Sequence, residues 1–296
     1  MDAARVLITL SLFLSASFFD FRERRVPNPH WWVLGAAGFS LLETDLIMSQ
    51  APLKYQLFLI PMGTLAYEAL FPWDRDDSPR APLRLLAIAS SIGVLAFLFW
   101  QSQGTSDRTL FSQLLATVVM MLLAHIFYAV GLLRGGADAK AFLFLALIFP
   151  HYPALPFGPM FSADPRMADV LHIAFPFPLV VLLNAVWPLL VLPLGLLIWN
   201  GVRGNLSFPR ALLGFKVPLD RVPRFSWLME RPFEEGVRPT YFAKRDSDRE
   251  ADIARLRELG VREVWVTPQI PFLIPLAIGV VLSLVLGNPI LWVISR

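Results

Sequence analysis

The 296-residue sequence has no cysteine. Disulfides, thiol nucleophiles and thiolate metal sites are therefore excluded. Charge is scarce as well: Asp, Glu, Lys and Arg together make up 17% of the chain, where a soluble domain carries about a quarter. The four histidines, His30, His125, His151 and His172, share no ligand spacing, and no His-Glu-x-x-His is present, so no metal site is expected. The sequence also lacks a phosphate-binding glycine loop, an internal repeat and a low-complexity tract. Neither a cofactor nor a nucleic-acid partner is expected.

What the chain has is apolar residues, 56% of the total. They come in blocks of about twenty, the length of a bilayer-crossing helix. The blocks fall at 3–20, 31–49, 53–71, 84–101, 109–133, 141–157, 174–199 and 271–293. The fold class read from this is an all-α polytopic membrane protein of about eight transmembrane helices. A small cytoplasmic α+β segment lies between the last two. The organisation expected is seven helices in 1–200, a soluble segment in 201–269 and a last helix in 270–296. The first block runs into charge with no small-residue cleavage site, so no cleavable signal peptide is expected. The sixth block is short: its clean run ends at Phe149, and Pro150, Pro153 and Pro156 follow. A re-entrant segment would have that length.

Lys and Arg concentrate in cytoplasmic loops. With eight spans, all but five of the 26 basic residues share one side. That puts both termini outside and the 203–268 loop inside. Within that loop Ser247 to Glu250, Ser-Asp-Arg-Glu, fits a capping box. A helix to about Leu259 would follow, stopped by Gly260. Val261 to Val266 alternates like a strand. The proline-rich part before it reads as irregular.

Two acids stand out. Asp138 follows Gly135, Gly136 and Ala137 at the start of the sixth block, and Asp20 closes the first block. An ionised carboxylate costs about 2.5–3.5 kcal/mol at the centre of a membrane helix. The topology puts both acids at the same depth on the cytoplasmic face, though far apart in sequence. Two carboxylates that meet in a partly dry site can share a proton, one accepting from water while the other donates to a carbonyl. For a single acid at a helix end, a solvated terminus is the ordinary reading.

Gly135-Gly-Ala-Asp138-Ala-Lys140 resembles the glycine-x-glycine-aspartate motif of intramembrane aspartyl proteases. The trailing Ala-Lys is similar to the type IV prepilin peptidases, especially the archaeal preflagellin and prepilin peptidase branch. Asp20-Phe-Arg-Glu-Arg-Arg-Val-Pro27-Asn28 resembles that family's other signature, and Val266 to Pro275 is similar to its entry into the last span. Ala137 stands where the family has glycine, and compact archaeal members have six spans. The resemblance implies a membrane aspartyl endopeptidase with Asp20 and Asp138 catalytic and without cofactor. Gly135, Gly136, Ala137, Lys140, Pro27 and Asn28 would bind substrate or support the motifs. The partners implied are pilin-like or archaellin precursors, cut at the cytoplasmic face of the cell membrane to release a short basic leader. Bacterial relatives carry a cysteine zinc insert and methylate the new N-terminus; without cysteine, neither is expected here.

Other residues have more than one reading. Lys140 either holds Asp138 ionised and orients the peptide, or snorkels to the interface. Arg22, Arg24 and Arg25 set topology. Glu234, Glu235, Asp246 and Asp248 could attract a basic leader, or form a solvated surface. Glu43 and Asp45 lie at the far end of the second block. Glu68 faces the aspartates or bonds a neighbouring helix, Asn184 bonds between helices, and Trp31 and Trp32 are interfacial anchors. Three other functions compete: an ion- or proton-coupled transporter, a non-enzymatic assembly protein, and a presenilin- or signal-peptide-peptidase-like protease. The last differs in its first motif, where a tyrosine precedes the aspartate; here it is Phe19.

Overall fold

The computed structural model describes the chain except for residues 72–79, 103, 104, 134, 157, 163, 165, 166, 234, 235, 242–247 and 296. Side chains at 105–107 and 169 are also outside the described part. Two compact units emerge, Met1–Ala185 with Pro271–Arg296, and Val186–Ile270. Helices are labelled in chain order.

In the first unit α1 (Asp2–Glu23) ends where Arg24 turns left-handed, φ 56°, its N–H bonded to Asp20 O at 3.0 Å. Pro27 caps α2 (Asn28–Met48) from an extended conformation, and Pro29 sits in the first turn, where its missing N–H costs nothing. A 3₁₀ turn (Leu53–Phe58) leads into α3 (Leu59–Leu70). Two long helices follow, α4 (Ala81–Gln101) and α5 (Thr105–Ala129). The short α6 (Gly136–Ile148) comes next, then α7 (Ala168–Ala174) and α8 (Phe177–Asn184).

The centre of this unit is α6. Every side chain from Ala141 to Phe149 is at most 1% exposed. It packs against α1, α2, α3, α5 and α8. Alanine, leucine and phenylalanine suit both helix and core, and Pro150 disfavours helical backbone at Phe149. Contact with α2 is close because of two glycines. A Cβ at Gly35 would come within 2.8 Å of Phe144, and one at Gly38 within 2.9 Å of Leu147. Trp31, expected at the interface, is instead buried in this core at 2% exposure. Its side chain lies on the same face of α2 as Leu34, Gly35 and Gly38. Trp32 is exposed.

Among the described residues four helical segments are long and apolar enough to cross a membrane: Asp2–Glu23, Ala81–Gln101, Arg108–Ala129 and the run Phe177–Val202. Of the other expected spans, α2 is unbroken over 21 residues but falls short of that apolarity, and the rest are shorter or interrupted. The third begins as the 3₁₀ turn, and α6 is about 20 Å long at 1.5 Å per residue, against about 30 Å of hydrocarbon. The last breaks into α12 (Leu273–Val285) and α13 (Pro289–Ile294). Between them Gly287 takes φ 77°, and Asn288 accepts the N–H groups of Ile290 and Leu291.

The second unit opens with α9 (Val186–Val202) and the single turn α10 (Arg210–Leu213). Asn200 ties them together, donating to the Ala211 and Gly214 carbonyls at 3.0 and 2.8 Å. The proline-rich stretch expected to be irregular contains four short strands: β1 (Phe215–Pro218), β2 (Ser226–Leu228), β3 (Glu230–Phe233) and β4 (Gly236–Pro239). β3 and β4 form an antiparallel hairpin. The strand expected near Val261 is β5 (Glu263–Pro268), the middle of an antiparallel sheet of order β1-β5-β2. The expected helix is α11 (Arg249–Glu258), with Gly260 left-handed just beyond it at φ 75°. Its cap is Asp248, which accepts from Glu250 and Ala251 N–H; Ser247 of the expected capping box lies outside the described residues. Leu256 packs on Leu219, Val264 and Val266 to form a small core.

Candidate active site

α1 and α6 run in opposite directions, with the start of α1 bonded to the end of α6: Arg5 Nη1 donates to the Ile148 carbonyl at 2.8 Å. The end of α1 therefore meets the start of α6. The two aspartates lie at this end, close enough to interact electrostatically. Each is held by a helix N-terminus. Asp20, in the last turn of α1, is 9% exposed and accepts the N–H of Leu273, the first residue of α12. Asp138, half-buried at the third position of α6, reaches back to the N–H of Gly135, the residue that caps its own helix. The first N–H groups of a helix have no partner within it, and they favour a carboxylate. Both acids are thus fixed by main-chain donors.

The two glycines before Asp138 are not equivalent. Gly135 has an ordinary extended backbone, φ −95° and ψ 131°, so its reason is space: a Cβ there would stand 2.5 Å from Asp138 Oδ2. At Gly136 the nearest atom to such a Cβ is the Tyr128 hydroxyl at 3.9 Å. Ala137 is half-buried and packs on the core.

The motif residues from the other helix come to the same place. Lys140 Nζ donates to Asn28 Oδ1 at 2.9 Å across 112 positions of sequence. Lys140 thus links the starts of α6 and α2. Lys140→Met and Asn28→Ala should each destabilise the protein by about 1 kcal/mol. The double variant should cost little more than either alone, as read by unfolding in mild detergent.

Arg24, read from sequence as a topology residue, lies within electrostatic range of Asp20. Its position four residues after Asp20, just past the end of α1, was the available signal. His30 braces the α1–α2 turn: its ring bonds Ser15 Oγ at 3.0 Å and the Pro27 carbonyl at 3.2 Å, and meets Phe19 edge-on. Glu68 pairs with buried Arg84 at 3.5 Å, so the interhelical reading holds for it. Asn184 does join helices, donating to Ser283 Oγ at 2.9 Å on α12 and to the Gly287 carbonyl. Glu43 accepts from Gln56 and Asp45 pairs with Arg5, at the end of α2 away from the aspartates. Of the acids in the second unit, Asp248 is a helix cap, while Glu234, Glu235 and Asp246 lie outside the described residues.

Residues 207–288 match a family described as the archaeal peptidase A24 C-terminus, type II. That range covers most of the second unit and α12 but neither aspartate. The chain is similar to the preflagellin peptidase of Methanococcus voltae, 22% identical over 69% of this chain and 84% of that one. It is 23% identical to the preflagellin peptidase of Methanococcus maripaludis, over 70% and 81% of the two chains. The preflagellin peptidase of Methanocaldococcus jannaschii is 22% identical, over 59% and 70%.

Proposed function

The chain is a relative of the archaeal preflagellin and prepilin peptidases, and on that premise we propose that it is a membrane aspartyl endopeptidase acting on archaellin- or pilin-like precursors. One observation carries the reading: the fold brings Asp20 and Asp138 within electrostatic range at one end of the helical unit, and each accepts a main-chain N–H.

The chemistry follows from that pairing. One proton is shared between the carboxylates, and a water lies between them. The ionised member takes a proton from the water as its oxygen attacks the scissile carbonyl. The protonated member donates to the carbonyl oxygen. Collapse of the tetrahedral intermediate transfers a proton to the amide nitrogen and releases the leader. A helical peptide bond is shielded by its own hydrogen bonds, so the segment to be cut is extended, which the interface permits and the hydrocarbon does not. The leader is short and basic, often ending in glycine; the hydrophobic helix after the cut stays with the mature protein.

The topology that suits this substrate has eight membrane-inserted segments, with both termini outside and the aspartates at the cytoplasmic face. In it α6 reaches only part of the way across. The 203–268 segment is cytoplasmic.

The test is cleavage by the full chain in lipid vesicles. The substrates are a panel of precursors that each join a basic leader, a glycine and a hydrophobic helix. A single cut before the hydrophobic segment is the expected result. A well-folded protein that cuts none of them sinks the proposal and moves the question to ion flux.

A further inference from the structure

A second cluster of charge lies at the opposite end of α1, α2 and α6, and the peptidase reading leaves it without a role. Its centre is Arg5, whose side chain is wholly buried. Nη1 donates to the carbonyl of Ile148, the last residue of α6. Nη2 donates to the Leu41 carbonyl of α2 at 3.1 Å and pairs with Asp45 on the same helix. Nε lies 3.7 Å from Asp2 on α1 itself. Asp2 also accepts the N–H of Ala154 at 2.8 Å and meets His151 at 3.3 Å, both in the segment that follows α6.

One guanidinium therefore joins three helices, and they are the three that carry the motif residues: α1 has Asp20, α2 has Asn28, and α6 has Asp138 and Lys140. The Ile148 carbonyl is one of the last carbonyls of α6, which have no partner within the helix. A cation there also meets the negative end of the helix dipole. At its other end α6 is tied by the Lys140–Asn28 bond. Between the ends, Phe144 and Leu147 seat against Gly35 and Gly38. A helix pinned at both ends and keyed in the middle has little freedom to slide or rotate. A wholly buried arginine in an apolar setting is expensive to keep, and a planar fork of donors is what spreads over several carbonyls and carboxylates at once.

We infer that Arg5 is a positioning residue: it sets the axial register of α6 against α1 and α2, and through it the separation of Asp20 and Asp138. The inference rests on the proposed role of that pair, but its first readout does not. Because the chain has no cysteine, spin labels go only where cysteine is introduced. Arg25→Cys, in the exposed turn after α1, and Gly136→Cys, at the exposed start of α6, give one distance between the two helices. Arg5→Met should shift or broaden that distance while the protein stays monodisperse and helical. If precursors are cut, kcat should fall roughly tenfold or more with KM nearly unchanged, as small misplacements of reacting groups do. Arg5→Lys, which retains charge but not the fork, should fall between. An unchanged distance with unchanged kcat in folded Arg5→Met overturns the inference. If Arg5→Met does not fold, Arg5→Lys and Asp45→Asn are read in the same way, and an unaltered distance in both overturns it. An altered distance in a protein that cuts nothing leaves the inference standing and removes the peptidase reading alone.

Discussion

Asp20→Asn and Asp138→Asn should each lower precursor cleavage by roughly a thousandfold, the scale of losing a general acid or base. Both variants should remain folded. Asparagine has the shape of aspartate, and its side-chain oxygen still accepts the N–H that holds it, from Leu273 in one case and from Gly135 in the other. What asparagine cannot do is take a proton from water or pass one to the substrate carbonyl. The double variant should be no worse than either single one, because residues that act as a unit lose their function together. Cleavage is read from the size of the precursor on a gel and from the new N-terminus. Activity that survives either substitution would remove that aspartate from the catalytic role.

Gly135→Val should lower cleavage by about a hundredfold, the scale at which misplacing a reacting group by about 1 Å is felt. Valine accepts the extended backbone found here, φ −95° and ψ 131°, so no strain is expected in the chain itself. Its Cβ would stand 2.5 Å from Asp138 Oδ2 and 3.0 Å from its carboxyl carbon. The carboxylate has to move, and the Gly135 N–H then loses its acceptor. The loss should be in kcat, with unfolding little changed. Gly136→Ala should cost much less, since the nearest atom to the added carbon is a tyrosine hydroxyl in ordinary contact at 3.9 Å. Equal losses in the two variants would show that Gly135 is not there to make room for Asp138.

The long helices were legible because an apolar run of about twenty residues has few alternatives. Both aspartates stood out as candidates because a charge at the edge of such a run has a cost that needs a reason. Interruptions inside runs were harder to see. Gly287 and Asn288 split α12 from α13 through a left-handed turn and a side-chain cap, yet their neighbours are all apolar. The strands β1 to β4 are three or four residues long and all but β2 contain a proline, too short for alternation to register; their partners are chosen by tertiary pairing. Trp31 and Trp32 are adjacent, and only the helix face they occupy separates core from surface. Arg5 looked like one of a few cations on the outer side, because nothing local marks a side chain whose hydrogen-bond acceptors lie 36 to 143 positions away. The Lys140–Asn28 bond was hidden for the same reason.

The burial of α6 has a consequence for how the molecule is made. A helix of 13 residues with no exposed side from Ala141 to Phe149 is enclosed on every side by its neighbours. It needs a slot. Part of that slot, from α1, α2, α3 and α5, is already synthesised when α6 emerges from the ribosome, but α8 is not. The last wall is therefore added after the helix it encloses. Until then the side of α6 that α8 covers has no partner from that helix. The N–H of Leu273 that Asp20 accepts is added later still, so the first acid gains its final surroundings only after α6 is enclosed.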